Sequence, residues 1–222
     1  MRKAAFTLLI LLLAACQPLP ASEARTPAQP LKIALTDSLS WLGPDLADCA
    51  AEVGVAVQYI EEPATGDGVI HLRLGTPETD GYTAVLGEDQ LAVIVHPDNP
   101  EQEISQESLL AIFTGKQKNW PNQSEIQLWS LPRSSDVTVA LLAAGINIAN
   151  AGLAPTTRAM RDAVAQNPNA IGFIPVRWVD GSVRLLQVKG LDITLPILAT
   201  SRMEPQGAAR AWLVCLQEKI AQ

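Results

Sequence analysis

The chain has few of the residues that build metal sites, nucleic-acid surfaces or membrane spans. Its two histidines, His71 and His96, lie far apart with no second cysteine or carboxylate at metal-ligand spacing, so the sequence predicts no metal site. The 16 Lys and Arg residues form no cluster, and the formal net charge is −7. Nucleic acid is therefore not an expected partner, because neutralising its phosphates requires clustered basic side chains.

Motifs of catalysis are also lacking. The sequence contains no Ser-His-Asp order in a credible context, no paired-carboxylate signature and no Gly-rich motif that would cradle a phosphate. A protein that binds and releases a ligand needs only convergent polar groups and lobes that can close. The sequence therefore predicts a binding protein that is not an enzyme and has no cofactor.

One apolar run stands out, at residues 4–15, and it is shorter than the ~20 residues that a spanning helix needs. It follows two basic residues and leads to Cys16, which resembles the end of a bacterial lipoprotein signal peptide. The resemblance implies that residues 1–16 are a signal peptide and that Cys16 carries the lipid, on the extracytoplasmic face of a cell-envelope membrane. The alternative is an ordinary secretory signal with an incidental cysteine. Residues 17–30 include four prolines and predict a flexible tether.

The clearest structural pattern lies between residues 91 and 120. Residues 91–95 form a short, unbroken apolar run rich in β-branched side chains, which predicts a strand buried on both faces. Two prolines and an Asp-Asn pair at 97–100 predict a turn. Ser105 then suits a helix N-cap, and Gly115 suits the position just past the end of that short helix.

This order, together with the later segment 169–175, resembles the two crossover segments of periplasmic phosphate-binding proteins, a family of ABC transporter solute-binding proteins. The resemblance implies an α/β fold of two lobes joined by two crossover segments. Lobe 1 would comprise residues 31–89 and 178–222, and lobe 2 residues 90–177, with the ligand cleft between them. The alternative is any α/β domain that contains a strand-turn-helix unit.

Polar side chains follow two of the predicted strands of lobe 1. Thr36, Asp37 and Ser38 come between the strand at 31–35 and a helix at 42–53, and the N–H groups at a helix start can bind an anion. Thr76 lies in a second polar turn, after the strand at 69–74, where ligands of open α/β sheets tend to bind. The alternative is a capping turn that binds nothing.

A third polar turn, in lobe 2, follows a predicted strand at 126–131 and precedes a predicted helix at about 139–149. Its candidate ligand-binding residues are Arg133, Ser134, Ser135 and Thr138. In the resembling family this place holds an arginine and a Ser-Gly-Thr, and a guanidinium beside hydroxyls can bind an oxyanion. Arg133 could instead be a surface arginine paired with a carboxylate. Asp136 could cap the helix, accept a proton from a protonated oxyanion, or repel a fully ionised one.

Two cysteines remain after Cys16. Cys49 and Cys215 lie in helix-like apolar stretches, and outside the cytoplasm they could form a disulfide between the first and last helices or remain two small buried side chains. The other predicted strands are residues 55–60, 171–174, 183–188 and 195–199, and the other predicted helices are about 155–166 and 208–220.

The predicted function is capture of a small anion, with phosphate as the family's usual ligand, by a lipid-anchored protein that serves an ABC permease. One departure weakens phosphate in particular: residues 61–68 are too few for the helix and glycine-serine loop that the family carries there. The alternative is a two-lobe lipoprotein without a ligand, acting as a sensor or a protein-interaction module.

Overall fold

The computed structural model describes residues 29–61, 68–77 and 79–221. The predicted signal peptide with Cys16, the tether up to residue 28 and most of the loop at 61–68 lie outside these ranges. The strands are β1 (Leu31–Leu35), β2 (Val57–Ile60), β3 (Val69–Leu74), β4 (Tyr82–Val95), β5 (Glu103–Ser105), β6 (Gln127–Ser130), β7 (Gly152–Leu153), β8 (Ala170–Pro175), β9 (Arg184–Leu185), β10 (Gln187–Lys189) and β11 (Thr194–Ser201). The α-helices are α1 (Gly43–Val53), α2 (Gln106–Phe113), α3 (Asp136–Ala143), α4 (Thr157–Ala165) and α5 (Ala208–Ile220), and short 3-10 helices cover Asp37–Leu42 and Val176–Trp178.

The main sheet follows the order β2-β1-β3-β11-β4-β8-β6-β7, with β9 paired to β4. At one end β1 runs parallel to β2 and β3, and at the other β6 runs parallel to β7 and β8. The antiparallel strand β4 connects the two groups, because residues 82–90 pair with β11 and residues 91–95 pair with β8. A separate two-stranded sheet pairs β10 with β5.

The strand predicted at 91–95 is present, but it begins nine residues earlier, at Tyr82. Its last residues are almost all buried, as an unbroken apolar run requires. The first nine residues are mostly half-buried or exposed and contain Gly87, so their local pattern does not predict a strand. Residues 82–90 form a strand because they pair with β11. Tertiary context here overrides local propensity.

Two further predictions of elements need correction. The helix predicted at 139–149 is α3, which starts at Asp136 because the Ser135 hydroxyl caps it by accepting from the Thr138 N–H at 3.1 Å. It ends early, and Gly145 follows with φ +81°. The strand predicted at 183–188 divides at Leu186, because β9 pairs with β4 whereas β10 pairs with β5. β5 and β7 were not predicted at all.

Helices α1 and α5 pack together, and α5 also packs against β4. Cys49 and Cys215 are joined by a disulfide bond, with Cα atoms 5.7 Å apart. The buried Trp212 of α5 donates its indole N–H to the Leu46 carbonyl at 3.2 Å. The first and last helices of the described chain are therefore held as one layer. None of the helices within the described ranges is long and apolar enough to cross a membrane.

Candidate functional site

A cavity of about 700 Å³ lies between the ends of β1 and β3 and the N-termini of α3 and α4. We call its two sides the first wall and the second wall. The first wall consists of Leu35, Thr36, Asp37, Ser38, His71 and Arg73, the second wall consists of Leu131, Pro132, Ser134, Ser135, Asp136, Pro155 and Thr157, and Thr200 of β11 completes the lining. The cavity therefore lies at the ends of strands and the beginnings of helices, where backbone N–H groups lack partners.

The turn after β1 supplies the hydroxyls of the first wall. The Thr36 N–H donates to the Leu72 carbonyl at 3.1 Å, which fixes the turn against β3. The Thr36 and Ser38 hydroxyl oxygens lie 3.1 Å apart. Ser38 is 2% exposed, and its carbonyl accepts the Trp178 indole N–H at 2.7 Å. Both hydroxyls are thus held in place by the packing of the turn.

His71 and Arg73 also belong to the first wall, and sequence reasoning missed them. Leu72 and Leu74 alternate with them on β3 and are buried in the core, so His71 and Arg73 project from the opposite face. The Arg73 guanidinium donates from Nη2 to the Thr76 carbonyl at 3.0 Å. The signal was available in the sequence, because two basic residues alternate with leucines on a strand that was predicted there.

The second wall is built from two helix N-termini. Ser135 caps α3, and Thr156 caps α4 by accepting from the Ala159 N–H at 3.1 Å. Thr157, the first residue of α4, is only 1% exposed, and its hydroxyl has no hydrogen-bond partner within the described ranges. A buried polar atom without a partner is costly. Thr157 is one of the residues that line the cavity, although its hydroxyl oxygen is itself buried.

The Asp136 carboxylate makes the most concentrated set of contacts in the cavity. Its Oδ2 accepts from the Thr36 hydroxyl at 2.8 Å, from the Ser38 hydroxyl at 2.5 Å and from the Leu74 N–H at 3.0 Å. Its Oδ1 accepts from the Val137 N–H at 2.9 Å. One oxygen of the second wall is therefore surrounded by two hydroxyls of the first wall and the backbone N–H at the end of β3.

Asp37 makes the reverse contact. It lies in the first wall, and its Oδ2 accepts from the Thr157 N–H at 2.5 Å, at the N-terminus of α4. A carboxylate at this position interacts favourably with the helix dipole. Within the described ranges, no group of three His, Cys, Asp or Glu side chains could hold a metal ion.

Three of the predicted binding residues lie outside the lining. Arg133 is exposed at the second position of a turn that the Ser135 N–H closes by donating to the Pro132 carbonyl at 2.9 Å. Thr138 is buried on α3, where its hydroxyl accepts from Ser135. Thr76 is exposed beyond β3. The structure brings together the five others, which are Thr36, Asp37, Ser38, Ser134 and Ser135.

Comparison with protein families agrees with this architecture. The family model of the PBP superfamily domain matches residues 55–186, which is more than half of the chain. The chain belongs to the PBP superfamily. The resemblance to phosphate-binding proteins and the two-lobe α/β fold predicted from the sequence are therefore confirmed.

Individual PBP relatives differ in how much they share with this chain. The phosphate-binding protein PstS of Bacillus subtilis is 27% identical over 189 residues, covering 78% of this chain and 62% of PstS. The chain thus spans less than two thirds of that relative's length. A phosphate ABC transporter substrate-binding protein from Clostridium perfringens, solved with bound phosphate, has a TM-score of 0.72 at 18% identity, over 85% of this chain and 93% of its own.

The same fold also occurs in a regulator. The regulatory domain of OxyR from Pseudomonas aeruginosa, in its reduced form, has a TM-score of 0.61 at 16% identity, over 85% of this chain and 97% of its own. At such low identity these structures establish the fold alone. What the cavity binds must be argued from the side chains of this chain.

Proposed function

We propose that the chain is an extracytoplasmic solute-binding lipoprotein that captures a small anion in the cavity, with phosphate as the first ligand to test. Cys16 would carry the lipid, and an ABC permease would receive the ligand. Residues 31–89 and 178–222 would form lobe 1 and residues 90–177 lobe 2. The family match and the relative PstS support this function for a protein of this fold.

The observation that carries the proposal is the buried hydroxyl of Thr157. The Thr157 residue is 1% exposed and lines the cavity at the start of α4, and its hydroxyl has no partner in the described part of the chain. A ligand oxygen within hydrogen-bond distance would accept a hydrogen bond from this hydroxyl and remove the cost of an unsatisfied polar group. The Ser134 side chain lines the same wall, so an oxyanion between α3 and α4 would meet hydroxyls and a helix N-terminus.

Arg73 supplies the positive charge that such a ligand needs. Its side chain lines the cavity from the first wall, whereas the guanidinium of Arg133 lies outside. A guanidinium gives oxyanions charge-assisted hydrogen bonds, which are about twice as strong as bonds between neutral groups. Arg73 therefore takes the role that the sequence resemblance gave to Arg133.

A second candidate function is the two-lobe lipoprotein without a ligand, acting as a sensor or an interaction module. The specific observation in its favour is Asp136, whose Oδ2 already accepts from three donors that an oxyanion would use. The negative charge of this side chain also opposes a fully ionised ligand.

The melting temperature of the full-length protein in detergent separates the two candidates. Phosphate, sulfate, molybdate and small carboxylates are added one at a time at millimolar concentration. At a hundredfold excess over Kd, a ligand adds about 2.7 kcal/mol to the free energy of unfolding. For a domain of this size that raises Tm by about 5–10 °C. No shift with any of these anions would favour the candidate without a ligand.

Two arginine variants provide a matched comparison. Arg73→Gln should abolish the shift, because it removes the guanidinium that lines the cavity. Arg133→Gln makes the same chemical change at an exposed site and should leave the shift intact. The opposite result would return the binding role to Arg133 and remove Arg73 from the site.

The lipid anchor has its own test. Cys16→Ser should move the protein from the membrane fraction to the aqueous fraction of the cell envelope, because the lipidated thiol is lost. If the variant distributes between the two fractions as the wild type does, Cys16 is not the residue that anchors the protein to the membrane.

A further inference from the structure

Two carboxylates cross the cavity in opposite directions. Asp136 lies on the second wall and accepts from the first-wall hydroxyls of Thr36 and Ser38 and from the N–H of Leu74 at the end of β3. Asp37 lies on the first wall and bonds to the Thr157 N–H of the second. The partners are between 62 and 120 residues apart in sequence, so each contact joins segments that are distant in the chain.

The donors around Asp136 form the kind of set that binds an oxyanion. Two hydroxyls and a backbone N–H converge on one oxygen, and the carboxylate lies at the N-terminus of α3, where negative charge is stabilised. An external oxyanion in contact with the same three donors would have to displace Asp136. It would also enter a cavity that already holds two negative side chains.

The backbone N–H groups of Leu74 and Thr157, which donate to these two carboxylates, have few other hydrogen-bond acceptors within reach. Leu74 is the last residue of β3, and its N–H donates to Asp136 rather than to a neighbouring strand. Thr157 is the first residue of α4, where a backbone N–H has no partner within the helix. Both amides are therefore direct reporters of the carboxylate contacts.

The geometry points to an internal ligand: the Asp136 carboxylate, assisted by Asp37, holds the two walls together without a bound solute and competes with any external anion for the first wall. This deepens the proposed function, on which the competition rests. The protein then binds its anion only when Asp136 gives up Thr36, Ser38 and Leu74. At the first wall, affinity is set by an exchange of one anion for another, whereas the Thr157 hydroxyl of the second wall is a donor without a partner in the described ranges.

Amide hydrogen exchange of the full-length protein, in phosphate-free buffer, tests the internal contact without any ligand. The wild-type amides of Leu74 and Thr157 should exchange slowly. Asp136→Ala should speed exchange at Leu74, and Asp37→Ala should do so at Thr157. Glu107→Ala is the control, since it removes an exposed acidic residue from the first turn of α2, outside the cavity, and should change neither amide.

Phosphate affinity, measured by calorimetry on the same proteins, tests the competition. Asp136→Ala should bind phosphate at least about tenfold more tightly than wild type, because three donors are released and one negative charge is removed. If Asp136→Ala does not fold, Asp136→Asn keeps an acceptor oxygen without the charge. It should retain slow exchange at Leu74 and still bind phosphate more tightly.

The outcomes distinguish this inference from the proposed function. Unchanged exchange at Leu74 together with unchanged phosphate affinity in Asp136→Ala would overturn the internal ligand. Weaker phosphate binding in that variant would also overturn it, because Asp136 would then assist the anion. Faster exchange at Leu74, with no anion bound by either protein, would support the internal contact and overturn anion capture.

Discussion

The disulfide between α1 and α5 should account for a large share of the stability of the chain. Cys49 and Cys215 are separated by 166 residues. For a loop of that length, the chain-entropy relation gives about 17 cal/mol/K, or about 5 kcal/mol at 25 °C. Measured effects are usually nearer 2–4 kcal/mol, because the unfolded chain retains structure. We therefore expect Cys49→Ala to lower the free energy of unfolding by about 2–5 kcal/mol.

Urea unfolding with and without a reductant measures this effect. Reduction should lower the unfolding midpoint of the wild type and leave Cys49→Ala unchanged. The double variant that also carries Cys215→Ala should lose only about 1 kcal/mol more, because the bond is already absent in the single variant. Mass spectrometry of the reduced wild type should show that both thiols are free. If they are free and the urea midpoint equals that of the oxidised protein, the bond does not stabilise the fold.

Two other predictions concern single side chains. Burial raises the pKa of the Asp89 carboxyl above 3.8, against the lowering effects of the Gln90 N–H and Arg177, so the folded chain holds this proton more tightly than the unfolded one. Stability should therefore fall as pH rises from 3.8 through the raised pKa, and urea unfolding of Asp89→Asn across this range should show a shallower fall; equal slopes would contradict it. Gly81 has φ +89°, and an added Cβ would lie 2.7 Å from the Ser201 carbonyl oxygen, so Gly81→Ala should cost about 1–3 kcal/mol by urea unfolding. Gly181→Ala, with no atom within 4 Å of the added Cβ, is the control, and an equal loss in both would refute the steric reason.

Much of the fold could be predicted because its elements carry local signals. The helix predicted at 42–53 ends at Gly54, whose φ of +73° is the left-handed conformation that glycine adopts freely. Ser105 caps α2 as predicted, by accepting from the Ser108 N–H at 3.1 Å. The first part of β4 could not be predicted in this way, because its strand character comes from pairing with β11, more than a hundred residues later.

The cavity was predictable in its loops and not in its strands. Thr36, Ser38 and Ser135 follow predicted strands, and loops at strand ends meet at one edge of a sheet. Arg73 lies within β3, so its position depends on which face of that strand turns toward the cavity. Arg133 was expected to line the cavity because of the family pattern, but the tight turn from Pro132 to Ser135 leaves it exposed.

The bond between Cys49 and Cys215 also makes a covalent ring of the chain between them. Every residue of both cavity walls except those before Cys49 lies within this ring. A single protease cut at any peptide bond inside it yields two polypeptides that remain one molecule until a reductant is added. Such a nicked protein could keep its shape in an oxidising compartment and come apart only on reduction.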